Sequence, residues 1–139
     1  MSIGYTLYVA SGADPSAVPA ALGVQGKMSR QKSWVSDGPV SITAWRLAGR
    51  RPGVAEKNGV AAELGVDFEL YLPELEEAKK AMVRDVAAVL ASLKGDAVFI
   101  DMADRVVLRR KKGRWAVNRT APLWTPELLA LVPEPYDCF

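Results

Sequence analysis

The 139-residue chain has no histidine and one cysteine, and both shortages narrow the chemistry open to it. Without imidazole there is no Ser-His-Asp or Cys-His arrangement, and no zinc or iron site that needs a histidine ligand. The single thiol, Cys138, rules out an intramolecular disulfide, so nothing here asks for an oxidising compartment. A reactive thiol needs surroundings that lower its pKa, which chain ends seldom supply, and Cys138 reads as inert. No uncharged apolar run approaches the roughly 20 residues of a membrane helix. The opening MSIGYTLYVASGAD carries no basic residue ahead of its short apolar stretch, unlike a signal peptide. A cytoplasmic protein is expected. Gly-x-Gly-x-x-Gly and P-loop motifs, internal repeats and low-complexity segments are missing too, and no cofactor or metal is implied.

What the chain does have is the composition of a globular protein: half its residues are hydrophobic and 24% are charged. Its length suits one domain over residues 1–139. The net charge of +2 conceals an uneven distribution. Between Arg105 and Arg119, in RVVLRRKKGRWAVNR, stand seven of the 18 basic residues and none of the 16 acidic ones, which leaves 11 minus 16, or minus five, elsewhere. One basic element sits on a mildly acidic body.

Alternation predicts strands at Ile3 to Ala10, at Lys32 to Val35 and Val40 to Leu47 around an Asp37-Gly38-Pro39 turn, and at Gly65 to Leu72. Asp14, Pro15 and Gly23 bracket a short helix, and GRRPGVAEKNG at Gly49 to Gly59 reads as a mobile surface loop. After Pro73, Leu75, Ala78, Met82, Val86, Val89 and Leu93 recur every three or four residues, the stripe of a long amphipathic helix. Glu74, Glu76 and Glu77 near its start and Lys94 near its end complement the helix dipole, with Gly95 as C-terminal cap. Three short strands follow, at Ala97 to Ile100, Val106 to Arg110 and Trp115 to Val117, and Thr125-Pro126 opens a last short helix. The fold class is α+β: a single domain, mainly antiparallel, with the long helix across one sheet face and short helices near both ends.

Few residues invite chemistry. Asp96, Asp101 and Asp104 put three carboxylates within nine positions, but at opposite ends of one strand, where Asp is ordinary turn chemistry. The small-residue loop before the first helix is a capped helix start as readily as an anion site. Glu74, Glu76 and Glu77 read as a solvated helix face. The basic hairpin stays open to two readings. One is nucleic-acid binding, with Trp115 stacking on a base, though no known nucleic-acid motif surrounds it. The other is a charged hairpin that resists edge-to-edge strand pairing. Strict alternation puts Val106, Leu108 and Arg110 on one face, and Arg105, Val107, Arg109 and Lys111 on the other.

From FELYLPELEEAKKAMVRDVAAVL onward the chain is similar to the C-terminal region of immunity proteins of the swarming-inhibition toxin (Sit) type. The likeness rests on the helix leading into LKGDAVF, the hairpin VVLRRKKGRWAVN and the ending LWTPELLALVPEPY, and IGYTLYVAS resembles that family's first strand. The turn IDMADR departs from the Asn-Gly type expected there, and Ser11 to Gly65 shows nothing distinctive. The resemblance implies a small cytoplasmic protein, not an enzyme, that binds and neutralises a cognate toxin encoded by a neighbouring gene. On that reading Arg109, Arg110, Lys111, Lys112, Arg114 and Trp115 are candidate toxin-contact residues, with nucleic-acid binding through residues 105–119 as the alternative.

Overall fold

The computed structural model describes residues 2–29 and 31–139. In chain order its elements are β1 (Ser2–Val9), α1 (Ala17–Leu22), β2 (Lys27–Met28), β3 (Lys32–Asp37), β4 (Val40–Arg46), α2 (Gly53–Lys57) and β5 (Leu64–Tyr71). A single 3-10 turn leads into α3 (Leu75–Ser92), followed by β6 (Ala97–Ile100), β7 (Val106–Lys111), β8 (Arg114–Val117), α4 (Pro126–Leu129) and β9 (Tyr136–Cys138). The strands form one sheet in the order β2-β3-β4-β5-β1-β6-β7-β8-β9, antiparallel throughout except for the parallel β8–β9 pair. The fold is α+β, as the alternation and the single long stripe require. No helix among the described residues is long and apolar enough to cross a membrane.

α1, α3 and α4 cover one face of the sheet. Leu7, Val9, Ile42, Val66, Phe68, Leu70 and Phe99 meet Met82, Val86, Val89 and Leu90 there, all of them buried. Phe99 is the hub, stacked on Tyr5 at 5.6 Å and edge-on to Phe68 at 5.9 Å between ring centroids. Each such side chain contributes roughly 1.5–3 kcal/mol by leaving water.

Several local expectations need correction. The segment from Gly49 to Gly59 is not a plain loop, because α2 folds within it and buries Ala55, with Val60, against Val98 and Ile100 on the opposite face of the sheet. One alanine, two valines and an isoleucine form the buried cluster that holds these five helical residues. β2 and β9, three residues or fewer each, carry no detectable alternation and exist through pairing with β3 and β8. α1 begins at Ala17, not Pro15, while Asp14 Oδ1 accepts from the Ser16 amide at 3.0 Å and Gly23 ends the helix in the left-handed conformation. α3 ends on Leu93 in extended conformation, so Gly95 does not cap it. Gly95 instead passes beneath the end of β1 at φ +120, where an added Cβ would lie 2.2 Å from the Ala10 carbonyl oxygen.

Of the three buried polar residues among those described, Ser33, Asp85 and Arg110, one retains an unpartnered oxygen. Asp85, seven residues after Ala78 and three after Met82, falls within the apolar stripe and is buried. Its Oδ2 has no hydrogen-bond partner. Burial, reinforced by the neighbouring carboxyl of Asp37 and opposed by Arg84, pushes its pKa up to about 8. Between the ordinary carboxylate pKa near 4 and about 8, the native protein keeps a proton that the unfolded chain has released, so stability falls as pH rises through that window. Asp85→Asn, which has no proton to lose, is expected to raise stability at pH 8 by at least about 1–3 kcal/mol, because it escapes the proton-linked loss that Asp85 suffers as pH rises. The gain should shrink toward pH 4. Urea denaturation of both proteins at pH 4, 6 and 8 checks this, and a gain that grows as pH falls contradicts it.

Candidate interaction surfaces

The basic segment folds as the β7–β8 hairpin, with Lys111 opposite Arg114 across the two-residue turn Lys112-Gly113. Both turn residues have positive φ, +51 and +79, which a tight primed turn demands. The amide of Lys112 donates to Asp96 Oδ1 at 2.8 Å, the main reason that the Asp96 carboxyl titrates below its usual range. Asp96 therefore acts as a clasp for the hairpin tip.

The expected strand faces are shifted by a bulge. Phe99 pairs with Leu108 and Ile100 with Val106, so Val107 is an extra residue between them. Val107 joins Leu108 in the main core, while Val106 packs on the α2 side. The carbonyls disturbed by the bulge find partners in the tail: Asn118 Nδ2 donates to Val106 O at 2.9 Å and Trp124 Nε1 to Val107 O at 2.8 Å.

Arg110, on the same strand face as Leu108 as the alternation places it, is buried. Nε donates to Gly95 O at 3.0 Å, Nη2 donates to Gly95 O and Leu93 O, and Nη1 donates to Leu90 O. Leu90 belongs to the last turn of α3, Leu93 is its C-terminal cap and Gly95 lies in the connection just beyond, the place where Lys94 was expected to act. Lys94 itself is exposed beyond the helix. The other face of the guanidinium stands 5.8 Å from the Trp115 ring centroid.

The remaining candidates are mostly engaged within the fold. Lys111 Nζ donates to Gly59 O at 2.8 Å and pairs with Asp96 at 3.3 Å, tying the hairpin to the end of the α2 segment. Arg109 lies 4.1 Å over the Phe139 ring, and Arg114 pairs with Asp137 at 3.0 Å. Trp115 is half-buried against the main core. Of the six, Lys112 and Arg114 are the exposed ones. Much of the hairpin's positive charge thus serves attachment of β7 and β8 to their surroundings.

The other candidates lie apart. Asp101 Oδ1 accepts from the amides of Ala103 and Arg105, and Asp104 takes the left-handed conformation at φ +58. In this way IDMADR achieves with Asp what an Asn-Gly turn would supply. Asp96 stands at the other end of β6 from both. Glu76 and Glu77 lie exposed in the first turn of α3 beside Lys79 and Lys80, and Lys80 also reaches Glu127 at 3.3 Å. Glu74 is exposed and makes no side-chain cap. Cys138 is exposed on β9.

Two features had no reading in the sequence. A cleft of about 760 Å³ opens between Ser11-Gly12 and the β4–α2–β5 connection, lined by Arg46, Arg50, Arg51, Glu56 and Glu63. Its charges are largely satisfied locally: Arg46 pairs with Asp14 at 2.6 Å, Arg51 with Glu56 at 3.9 Å, and Arg50 Nε donates to Leu47 O. The second is buried Asp85, whose signal was its place three residues after Met82 within the stripe.

The SitI3-like family matches residues 3–128, nearly the whole chain. The chain belongs to the SitI3-like family, and the resemblance to Sit-type immunity proteins read from its second half holds through the first half as well. No curated protein and no solved structure matches it.

Replacing Arg110 with Met keeps the length of the side chain but strips the carbonyls of Leu90, Leu93 and Gly95 of their donor. The expected loss is about 3 kcal/mol, from charged hydrogen bonds and newly unpaired buried carbonyls. Arg110→Lys should recover less than half of it, since one ammonium cannot span the three acceptors. Chemical denaturation of the three proteins decides; an Arg110→Met protein as stable as wild type would refute the capping role.

Proposed function

We propose that this protein is an immunity protein that binds a cognate toxin domain directly and neutralises it by covering the toxin's active site or the path of its substrate. The observation that carries this reading is membership of the SitI3-like family across residues 3–128. The geometry is compatible with it. The protein is a sheet with a broad uncovered face, which offers rigid backbone for a partner to dock on, and Arg46 and Arg51 at its cleft are paired with Asp14 and Glu56. On this reading the protein acts in the cytoplasm by binding and not by turnover, and its partner is the product of a neighbouring gene.

The test is co-expression. Cells expressing the open reading frame adjacent to this one should stop growing, recover when this protein is expressed with it, and yield both proteins as one complex on purification. A toxic neighbour that this protein neither relieves nor binds would overturn the proposal.

A further inference from the structure

The face of the sheet opposite α1, α3 and α4 is covered over β6 and the Tyr8 end of β1 by the α2 segment, but over β3, β4, β5 and the rest of β1 no helix among the described residues packs on it. Strand register places its residues in rows. Trp34, Thr43, Asp67 and Thr6 lie side by side, as do Lys32, Trp45, Gly65 and Tyr8, then Ser36, Ser41, Glu69 and Gly4, with Tyr71 beside Ser2 at the end. Residues paired across strands share a face, so all of these project from one surface.

That surface has two properties. It presents large apolar groups to solvent: Trp34 is 39% exposed, Tyr71 58% and Met102, which borders Gly4, 70%. These are three of the six large hydrophobic side chains that the described residues expose. Trp45 lies flat over Gly65, where an added Cβ would meet its ring at 2.6 Å, and extends the aromatic floor. Exposed aromatics set in polar surroundings are the usual anchors of a protein interface.

The second property is negative charge in the middle. Asp67 and Glu69 are exposed and accept hydrogen bonds from Thr6 and Ser2, both at 2.7 Å. Asp104 is close enough to Tyr8 to help raise its pKa, after burial and together with Asp67. None of Asp67, Glu69 and Asp104 has a cationic partner among the described residues, and Asp101 nearby is paired with Arg105. The cations of this face, Lys27 and Lys32, stand at its β2–β3 margin. Three carboxylates thus stand together at the middle and β1 side of this face, away from its two marginal lysines.

We infer that the bare face of β3, β4, β5 and β1 is the docking surface for the toxin, and that the toxin meets it with a basic surface whose Arg and Lys side chains pair with Asp67, Glu69 and Asp104 and lie against Trp34 and Tyr71. The inference rests on the immunity reading above. Charge complementarity selects the occupant: a nucleic acid would bring its phosphates against three carboxylates that have no cationic partner among the described residues, whereas a basic protein surface pairs with them. Arginine suits such a face because its flat guanidinium pairs with carboxylates and stacks on aromatic rings. The side chains involved are exposed and their backbones are held in the sheet, so replacing them leaves the core intact.

The test measures binding of this protein to the purified product of the adjacent open reading frame, using wild type, Trp34→Ser with Asp67→Lys and Glu69→Lys, and a hairpin control, Lys112→Glu with Arg114→Glu. The face variant is expected to bind at least about 30-fold more weakly and to lose protection of growth, with an unchanged thermal unfolding midpoint. The hairpin control should stay within about twofold of wild type. The wild-type on-rate should fall with added salt. If wild type binds and the face variant binds equally well, the docking surface is wrong while the immunity reading stands; if wild type does not bind, both fall. Self-association of wild type abolished in the face variant, or quenching of Trp34 by a 20-nucleotide oligothymidylate that Trp34→Ser abolishes, would assign the face to a second copy or to nucleic acid and overturn the inference.

Discussion

The architecture depends on how the long helix is fastened to the sheet at its C-terminal end. A helix ends with unpaired carbonyls, and α3 ends where the chain must turn at once into β6. Arg110, from the next strand along, spans those carbonyls with a single guanidinium. Because it does so from the sheet, the same hydrogen bonds that cap the helix also set its position over Phe99 and Leu108. Gly95 makes room for the arrangement by letting the connection run against the Ala10 carbonyl.

This fastening explains the density of positive charge in the second half of the chain. The hairpin supplies one cation to the end of α3, one to the α2 segment and Asp96, and one to Asp137 on β9. Each ties a late strand to an element that the apolar pattern alone would hold loosely. The edge of the sheet beyond β6 is thus joined as much by cations and tail contacts as by apolar burial, whereas the half from β3 to β1 is held by the large core beneath it. With Arg110, Lys111 and Arg114 engaged within the fold, the surface proposed for recognition is the bare face at the other half of the sheet, with carboxylates in its middle and aromatics along it. Scaffold and recognition surface then occupy different halves of one sheet, and changes to one need not unfold the other.

The α+β class, the long helix, the hairpin around Gly38 and the Thr125 cap were legible in the sequence, because each rests on a local rule: period 2 for strands, period 3.6 for a helix, fixed residue types at turns and caps. The family likeness was legible for the same reason, since its signature lies in contiguous stretches. What escaped was made by distant contact. α2 exists because Ala55 and Val60 find Val98 and Ile100, β2 and β9 exist because a neighbouring strand is already in place, and the bulge at Val107 sends Val106 to the α2 side while Val107 joins the main core.

The same division governs the functional surfaces. The one-dimensional chain records that seven cations crowd between Arg105 and Arg119, but charge along a sequence carries no direction, and only the tertiary structure shows which of them face the interior. It likewise holds Ser2, Thr6, Trp34, Asp67 and Glu69 as scattered positions up to 67 residues apart. Strand pairing brings them side by side, because a β-sheet converts separation along the chain into steps of about 5 Å across it.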